Sequence, residues 1–260
     1  MSAAPGPPPT SSHRSAKHEG LVMSNILKVE NLCAGYGELP VLDSVNIEVG
    51  QGEIVSVVGA NGAGKTTLLL TISGHLNTRS GTVQFDGPNI TNLPAHRAAE
   101  HGLVMVPEGG RLFPFMTVLE NLELGAYHPK ARARLRESLD EVMTLFPLLA
   151  ERRTQLAGRL SGGERQMCAV ARAMMALPKL LMLDEPSLGL APIMVDKVFE
   201  MVSALVRTKG LSVLLVEQNV GNALRLCAHG YVIEHGGILK SGRGEDLLRD
   251  PDVRRSYMGL

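Results

Sequence analysis

Nowhere does the sequence hold an uncharged apolar run approaching the roughly 18 residues of a membrane-spanning helix, so other chains must cross any membrane it works at. The first 22 residues, rich in Pro, Ser and Ala with His13, Arg14, Lys17 and His18, lack the apolar centre of a secretory signal. They read as a disordered extension over residues 1–23. The alternative is that translation starts at Met23, just before the patterned sequence. Neither sign of charge is in excess, with lysine plus arginine and aspartate plus glutamate at 26 each. That balance removes the electrostatic case for nucleic acid or an anionic lipid surface as the main partner. Cysteine is scarce: Cys33, Cys168 and Cys227 are odd in number, far apart and in no C-x-x-C pattern. Reduced thiols used in packing fit this better than a disulfide framework.

What the chain does have is length, 260 residues at 44% hydrophobic, enough to bury one large α/β core or two lobes. Its densest signal is Gly59-Ala60-Asn61-Gly62-Ala63-Gly64-Lys65-Thr66, a complete G-x-x-x-x-G-K-[ST] phosphate-binding loop. The apolar run from Ile54 to Val58 is the strand expected to feed it. The run from Thr67 to Ile72 opens a helix whose N–H groups and dipole face the phosphates. Gly59, Gly62 and Gly64 permit backbone shapes and close approaches that a Cβ obstructs, and Ala60, Asn61, Ala63 and Thr67 complete the phosphate cradle. Lys65 is expected to reach the β- and γ-phosphates, and the Thr66 hydroxyl to ligate Mg²⁺.

Around this loop the pattern alternates strand and helix. Strands are expected over residues 26–32 and 41–49, an antiparallel preface turning through Gly35-Tyr36-Gly37. Others are expected over 81–85 before Asp86-Gly87, over 103–106, 180–184 and 212–216, with a terminal hairpin through Gly236-Gly237. Helices are expected from near Pro94, from Ser161 toward Leu177, from Pro192 to Lys209 with Gly210 as the stop, and from Asn219 to Ala228. The mostly helical stretch from Thr117 to Gln155 reads as a lobe, about residues 90–165, inserted into an α/β P-loop core with a mostly parallel sheet.

Three further places carry chemistry. Leu160-Ser161-Gly162-Gly163-Glu164 contains an S-x-x-E capping box, yet its twin glycines weaken a first helical turn while opening its N–H groups to another chain's phosphate. Asp184 and Glu185 end an apolar strand, and consecutive strand residues point apart. Asp184 can therefore hold Mg²⁺ while Glu185 orients or deprotonates the attacking water. Tyr36 reads either as a surface turn tyrosine or as a ring stacking on a nucleotide base.

The phosphate loop, L-S-G-G-E, the strand-end Asp-Glu and the polar turn Val216-Glu217-Gln218-Asn219, in that order, resemble the ATP-binding subunit of ABC transporters over residues 24–260. The resemblance implies a head-to-tail pair of subunits, each ATP lying between one phosphate loop and the other subunit's signature segment. Ser161, Gly162 and Gly163 would then bind the γ-phosphate in trans, and Tyr36 would stack on adenine. Within the family the loops Val106-Pro107-Glu108-Gly109 and Ser187-Leu188-Gly189-Leu190-Ala191-Pro192, and the ending Arg255-Ser256-Tyr257, look most like ATPase subunits of branched-chain amino acid importers, the LivF type.

The sequence departs from the wider family at three positions. Glu108 stands where a glutamine usually senses Mg²⁺, and a carboxylate can do so as well. Gln218 stands where a histidine usually contacts the γ-phosphate; its amide still donates but accepts no proton at neutral pH, which leaves Glu185 as the candidate base. Gly110 replaces an arginine expected in close relatives. The partners implied are a second ABC ATPase subunit, two transmembrane permease subunits and, indirectly, a periplasmic substrate-binding protein, with the chain peripheral on the cytoplasmic face of the inner membrane. A urea or short-amide importer is the near alternative. A soluble ABC ATPase acting on nucleic acid or ribosomes lacks support from a basic stripe, paired cassettes or long coiled coils. A small-molecule kinase or GTPase leaves L-S-G-G-E unexplained, and the chain has no N-K-x-D motif.

Overall fold

The computed structural model describes residues 24–258; the extension expected over residues 1–23 lies outside the described residues. The elements run β1 (Asn25–Tyr36), β2 (Leu39–Gly50), β3 (Ile54–Val58), α1 (Lys65–Ile72), β4 (Thr78–Phe85), α2 (Ala95–Glu100), β5 (Leu103–Val106) and α3 (Val118–Gly125). Next come α4 (Pro129–Ala133), α5 (Leu135–Leu145), α6 (Pro147–Glu151), α7 (Gly162–Met174), β6 (Leu180–Asp184) and α8 (Pro192–Lys209). Then follow β7 (Ser212–Glu217), α9 (Val220–Leu226), β8 (His229–Glu234), β9 (Gly237–Arg243) and α10 (Gly244–Arg249).

The main sheet has the order β5-β6-β7-β3-β8-β9, parallel throughout except for β9 at one edge. Every residue of β3, β6 and β7 is buried, which is why these strands read as unbroken apolar runs: both faces of a parallel sheet are covered. Successive side chains go to opposite faces. Val55, Val57, Leu180, Met182, Leu214 and Val216 pack toward α1 and a second sheet, β2-β1-β4. Val58, Leu181, Leu183, Val213 and Leu215 pack toward α7, α8 and α9. The central loop is thus rooted in a strand clamped on both sides and both faces.

Two expectations are corrected. Tyr36 does not sit inside a glycine turn; β1 continues through it, paired with Leu39, because Gly37 at φ 53 makes the reversal in two residues. The hairpin through Gly236-Gly237 is not terminal either. Its first strand β8 joins the main sheet beside β3, and α10 and a further helical segment follow, held by the buried Leu247 and Val253.

Candidate functional site

Parallel strands bring their carboxyl ends to one edge, and there the chemistry gathers. The phosphate loop follows β3, Asp184-Glu185 closes β6, and Glu217-Gln218 closes β7. The register aligns Val58 with Glu217 and Asp184 with Val216. In an open α/β sheet this edge is where ligands bind.

The loop is shaped by its neighbours. Gly64 caps α1 at φ 107, and a Cβ there would lie 2.8 Å from Leu42 Cδ2, so only glycine fits. The N–H of Gly236, in the β8–β9 turn, donates to the Ala63 carbonyl at 3.0 Å, and the Gly236 carbonyl accepts from the Asp43 N–H at 2.9 Å. No side chain caps α1 and no acid lies in its first turn, so its leading N–H groups face outward. That is the electrostatic environment of an anion site.

Lys65 is almost wholly buried, its Nζ donating to the Gly59 and Ala60 carbonyls at 2.9 Å each and lying 3.1 Å from Glu185 Oε1. Glu185 is also buried and adopts φ 45, a left-handed conformation costly for a side chain, with its N–H bound to the Val216 carbonyl. From this left-handed position its carboxylate pairs with Lys65. Asp184 accepts from the Thr66 hydroxyl at 3.1 Å. Burial pushes its carboxyl up to about 6; the Thr66 bond opposes this, while the charges of Glu185 and Glu108 add to it. Hard oxygen donors from Thr66 and Asp184, the latter in no direct ion pair among the described residues though Lys65 is near, suit Mg²⁺. Among the described residues no group of three or more His, Cys, Asp or Glu could hold a metal alone, so phosphate oxygens would complete such a shell.

Glu217 was passed over in the sequence as part of a polar turn. It is the last residue of β7, 1% exposed, and accepts the Ser187 N–H at 3.0 Å and the Asn219 N–H at 3.5 Å. Burial raises its pKa, and the nearby Glu185 charge adds to that. An acid closing an otherwise apolar strand was the available signal. Gln218 is exposed on the rim of a cleft of about 450 Å³ shared with Glu185 and Glu217. Glu108 is exposed. The Tyr36 hydroxyl lies 3.5 Å from Thr67 Oγ1 with the residue half exposed, which sets its ring beside the loop.

Ser161, Gly162 and Gly163 stand apart from this cluster. Ser161 and Glu164 form the capping box, and Glu164 pairs with Arg152 at 2.9 Å. Among the described residues no hydrogen bond or ion pair joins the segment to the phosphate loop. Gly163 has a reason within its own chain: a Cβ there would lie 2.1 Å from Met194 Cε on α8. Openness to a foreign phosphate is therefore not needed to explain that glycine. Gly110 is explained too, since it holds φ 68 and a Cβ would meet Ala169 Cβ at 2.7 Å, while its carbonyl accepts from Arg172. Cys168 and Cys227 are buried, Cys33 is half-buried, and all three are free thiols.

Comparison with known proteins gives the same picture. The family described as "ABC transporter" matches residues 42–188. The high-affinity branched-chain amino acid transport ATP-binding protein BraG of Pseudomonas aeruginosa is 44% identical, over 90% of this chain and 100% of its own. The lipopolysaccharide export system ATP-binding protein LptB of Haemophilus influenzae is 36% identical over 90% of this chain and 98% of its own. A crystal structure of the ADP conformation of an ABC transporter's ATP-binding cassette superimposes with a TM-score of 0.78 at 31% identity, covering 91% of this chain and 100% of that one.

Proposed function

From the premise that this chain belongs to the ABC transporter ATP-binding proteins, we propose that it powers import of branched-chain or related amino acids through separate membrane subunits. It is an ATP hydrolase. The observation that carries the site assignment is the convergence of Lys65, Thr66, Asp184 and Glu185 at the strand ends, with ion-pair and hydrogen-bond distances of 3.1 Å.

In this reading the α1 N–H groups and Lys65 hold the phosphates of ATP, and Tyr36 stacks on the base. Thr66 and Asp184, with Glu108 alongside, hold Mg²⁺, which supplies charge neutralisation on the transferring phosphoryl group. Glu185 turns from Lys65, once the phosphates engage that ammonium, to align the attacking water and accept its proton. Gln218 donates a hydrogen bond to the γ-phosphate. Ser161, Gly162 and Gly163 act on the ATP of a second ATPase subunit, which accounts for their separation from the phosphate loop of their own chain. Dimer closure then assembles each site and drives the membrane subunits.

An exposed apolar patch supports docking of those membrane subunits beside the Glu108 loop. Phe113, Phe115, Leu124 and Tyr127 are 52%, 91%, 43% and 82% exposed. Phe113 and Leu124 line one hollow and Leu124 and Tyr127 the next, so exposed apolar side chains adjoin on this surface. No helix among the described residues is long and apolar enough to cross a membrane; in this reading the chain attaches through those subunits, peripherally and on the cytoplasmic face.

The amino-acid cargo rests on the similarity to BraG. The similarity to LptB makes an export ATPase the second reading. Uptake of labelled leucine, isoleucine, valine and urea in a strain lacking this protein tests the choice, with rescue by the natural chain and by Lys65→Ala compared. Loss of leucine, isoleucine or valine uptake restored only by the natural chain supports the proposal. Loss of urea uptake alone supports a urea importer, and unchanged uptake of all four removes the importer assignment.

A further inference from the structure

The ending Arg255-Ser256-Tyr257 has no place in the chemistry described so far, yet the fold carries it to the back of the catalytic edge. Lys240 on β9 holds both Asp250 carboxylate oxygens at 2.8 Å and Asp252 at 2.9 Å. Asp250 in turn accepts the N–H groups of Asp252 and Val253 at 2.9 and 3.0 Å, and Val253 is buried. This anchor sets the direction of the π-helical turn Arg254–Met258, whose Arg254, Arg255 and Ser256 are exposed while Tyr257 and Met258 pack onto the core.

Tyr257 and Met258 form one wall of the cleft whose other wall includes Glu185, Ser187, Glu217 and Gln218. The Met258 methyl lies against Gly221, where an added Cβ would sit 3.3 Å from it. Gly221 has no side chain of its own to pack, so Met258 supplies the bulk against the start of α9. The Tyr257 hydroxyl is buried and makes no hydrogen bond among the described residues; burial and the nearby Glu234 carboxylate raise its pKa, while its ring packs on the core.

We propose that Tyr257 and Met258 are positioning residues for ATP hydrolysis. Met258, packed on Gly221 at the start of α9, and Tyr257 next to it steady residues 217–221 from across the cleft, keeping Gln218 at its rim and, through the Glu217 bond to the Ser187 N–H, holding the turn that aims Glu185. The inference rests on the assignment of Glu185 and Gln218 made above.

The test compares the full chain with Tyr257→Ala/Met258→Ala, Tyr257→Phe, a chain stopped after Val253, and Lys65→Ala. The double variant and the shortened chain should lose about tenfold or more in kcat, the scale of a small misplacement at a reacting centre. Their KM for ATP should stay within about twofold. Amide exchange should rise in residues 217–221 and not in α7 or α8. Tyr257→Phe should keep wild-type kcat, because the proposal gives the role to the ring and not to the hydroxyl. Wild-type kcat in the double variant overturns the proposal. So does a general rise in exchange with falling Tm and weaker ATP binding, which marks a merely structural role. Full activity of Lys65→Ala would instead overturn the site assignment itself, so the two failures are distinguishable.

Discussion

Lys65 and Glu185 form an ion pair at 3.1 Å with side chains only 3% and 10% exposed, so the cation and the base of the proposed mechanism restrain one another. A buried pair of this kind contributes little net stability, because desolvation offsets attraction, but removing one partner strands the other. The arrangement gives the site a way to keep Glu185 occupied until phosphate competes for the ammonium.

Glu185→Gln tests the base. The amide can still accept a bond from Lys65 but takes no proton, so kcat should fall by about 10²- to 10⁴-fold, the range for losing a general base. ATP binding should persist and a dimer accumulate in the presence of ATP, seen by light scattering. Unchanged turnover would remove Glu185 from the role.

Lys65→Ala removes the ammonium that Gly59, Ala60 and Glu185 surround. ATP binding measured by calorimetry should be lost or hydrolysis abolished. Tm should fall as well, because the Glu185 carboxylate keeps its burial and loses its cation.

Gln218→His probes the departure at the cleft rim. Gln218 is exposed, so the exchange should cost no stability. Hydrolysis should hold or rise, since imidazole donates to phosphate as the amide does. A large loss in a steady-state assay would mean that the amide has a more specific part.

Asp184→Asn gives a pH signature. The folded-state pKa of Asp184, about 6, lies above its ordinary value of 3.8 because the group is buried. The folded chain therefore binds more protons than the unfolded one between these values, and the contribution of Asp184 to stability falls as pH rises through that window. Without divalent cations, Asn should match the natural chain near pH 3.5 and stabilise it increasingly toward pH 7, followed by Tm. Adding Mg²⁺ with ATP should reduce that advantage by giving the natural carboxylate a counter-charge.

Gly110→Arg restores the residue expected from close relatives. The backbone at φ 68 and the nearby Ala169 Cβ oppose it, and left-handed non-glycine residues cost about 1–3 kcal/mol. Urea unfolding should show a loss of that order.

Much of this was legible before any coordinates. Strands buried on both faces, such as Leu180–Asp184, announce themselves as unbroken apolar runs, and Gly210 marks the end of α8. The pairing of Thr66 with Asp184 follows once β3 and β6 are known to be parallel. What stayed hidden depends on distant partners. Glu217 looks like any turn acid until its burial under Ser187 is seen, and Gly163 answers to Met194 on another helix. The segment after β9 is short and mostly polar, so Tyr257 and Met258 carry no periodic signal.

The central strand β3 hydrogen-bonds only to β7 and β8, and the Ala63 carbonyl is tied to Gly236. A ribosome that has released the chain through residue 200 has therefore made the phosphate loop without either strand that holds its root. Val55, Val57 and their neighbours must wait as an unpaired apolar edge for the last quarter of the polypeptide, which makes synthesis itself the period of greatest exposure to misassembly.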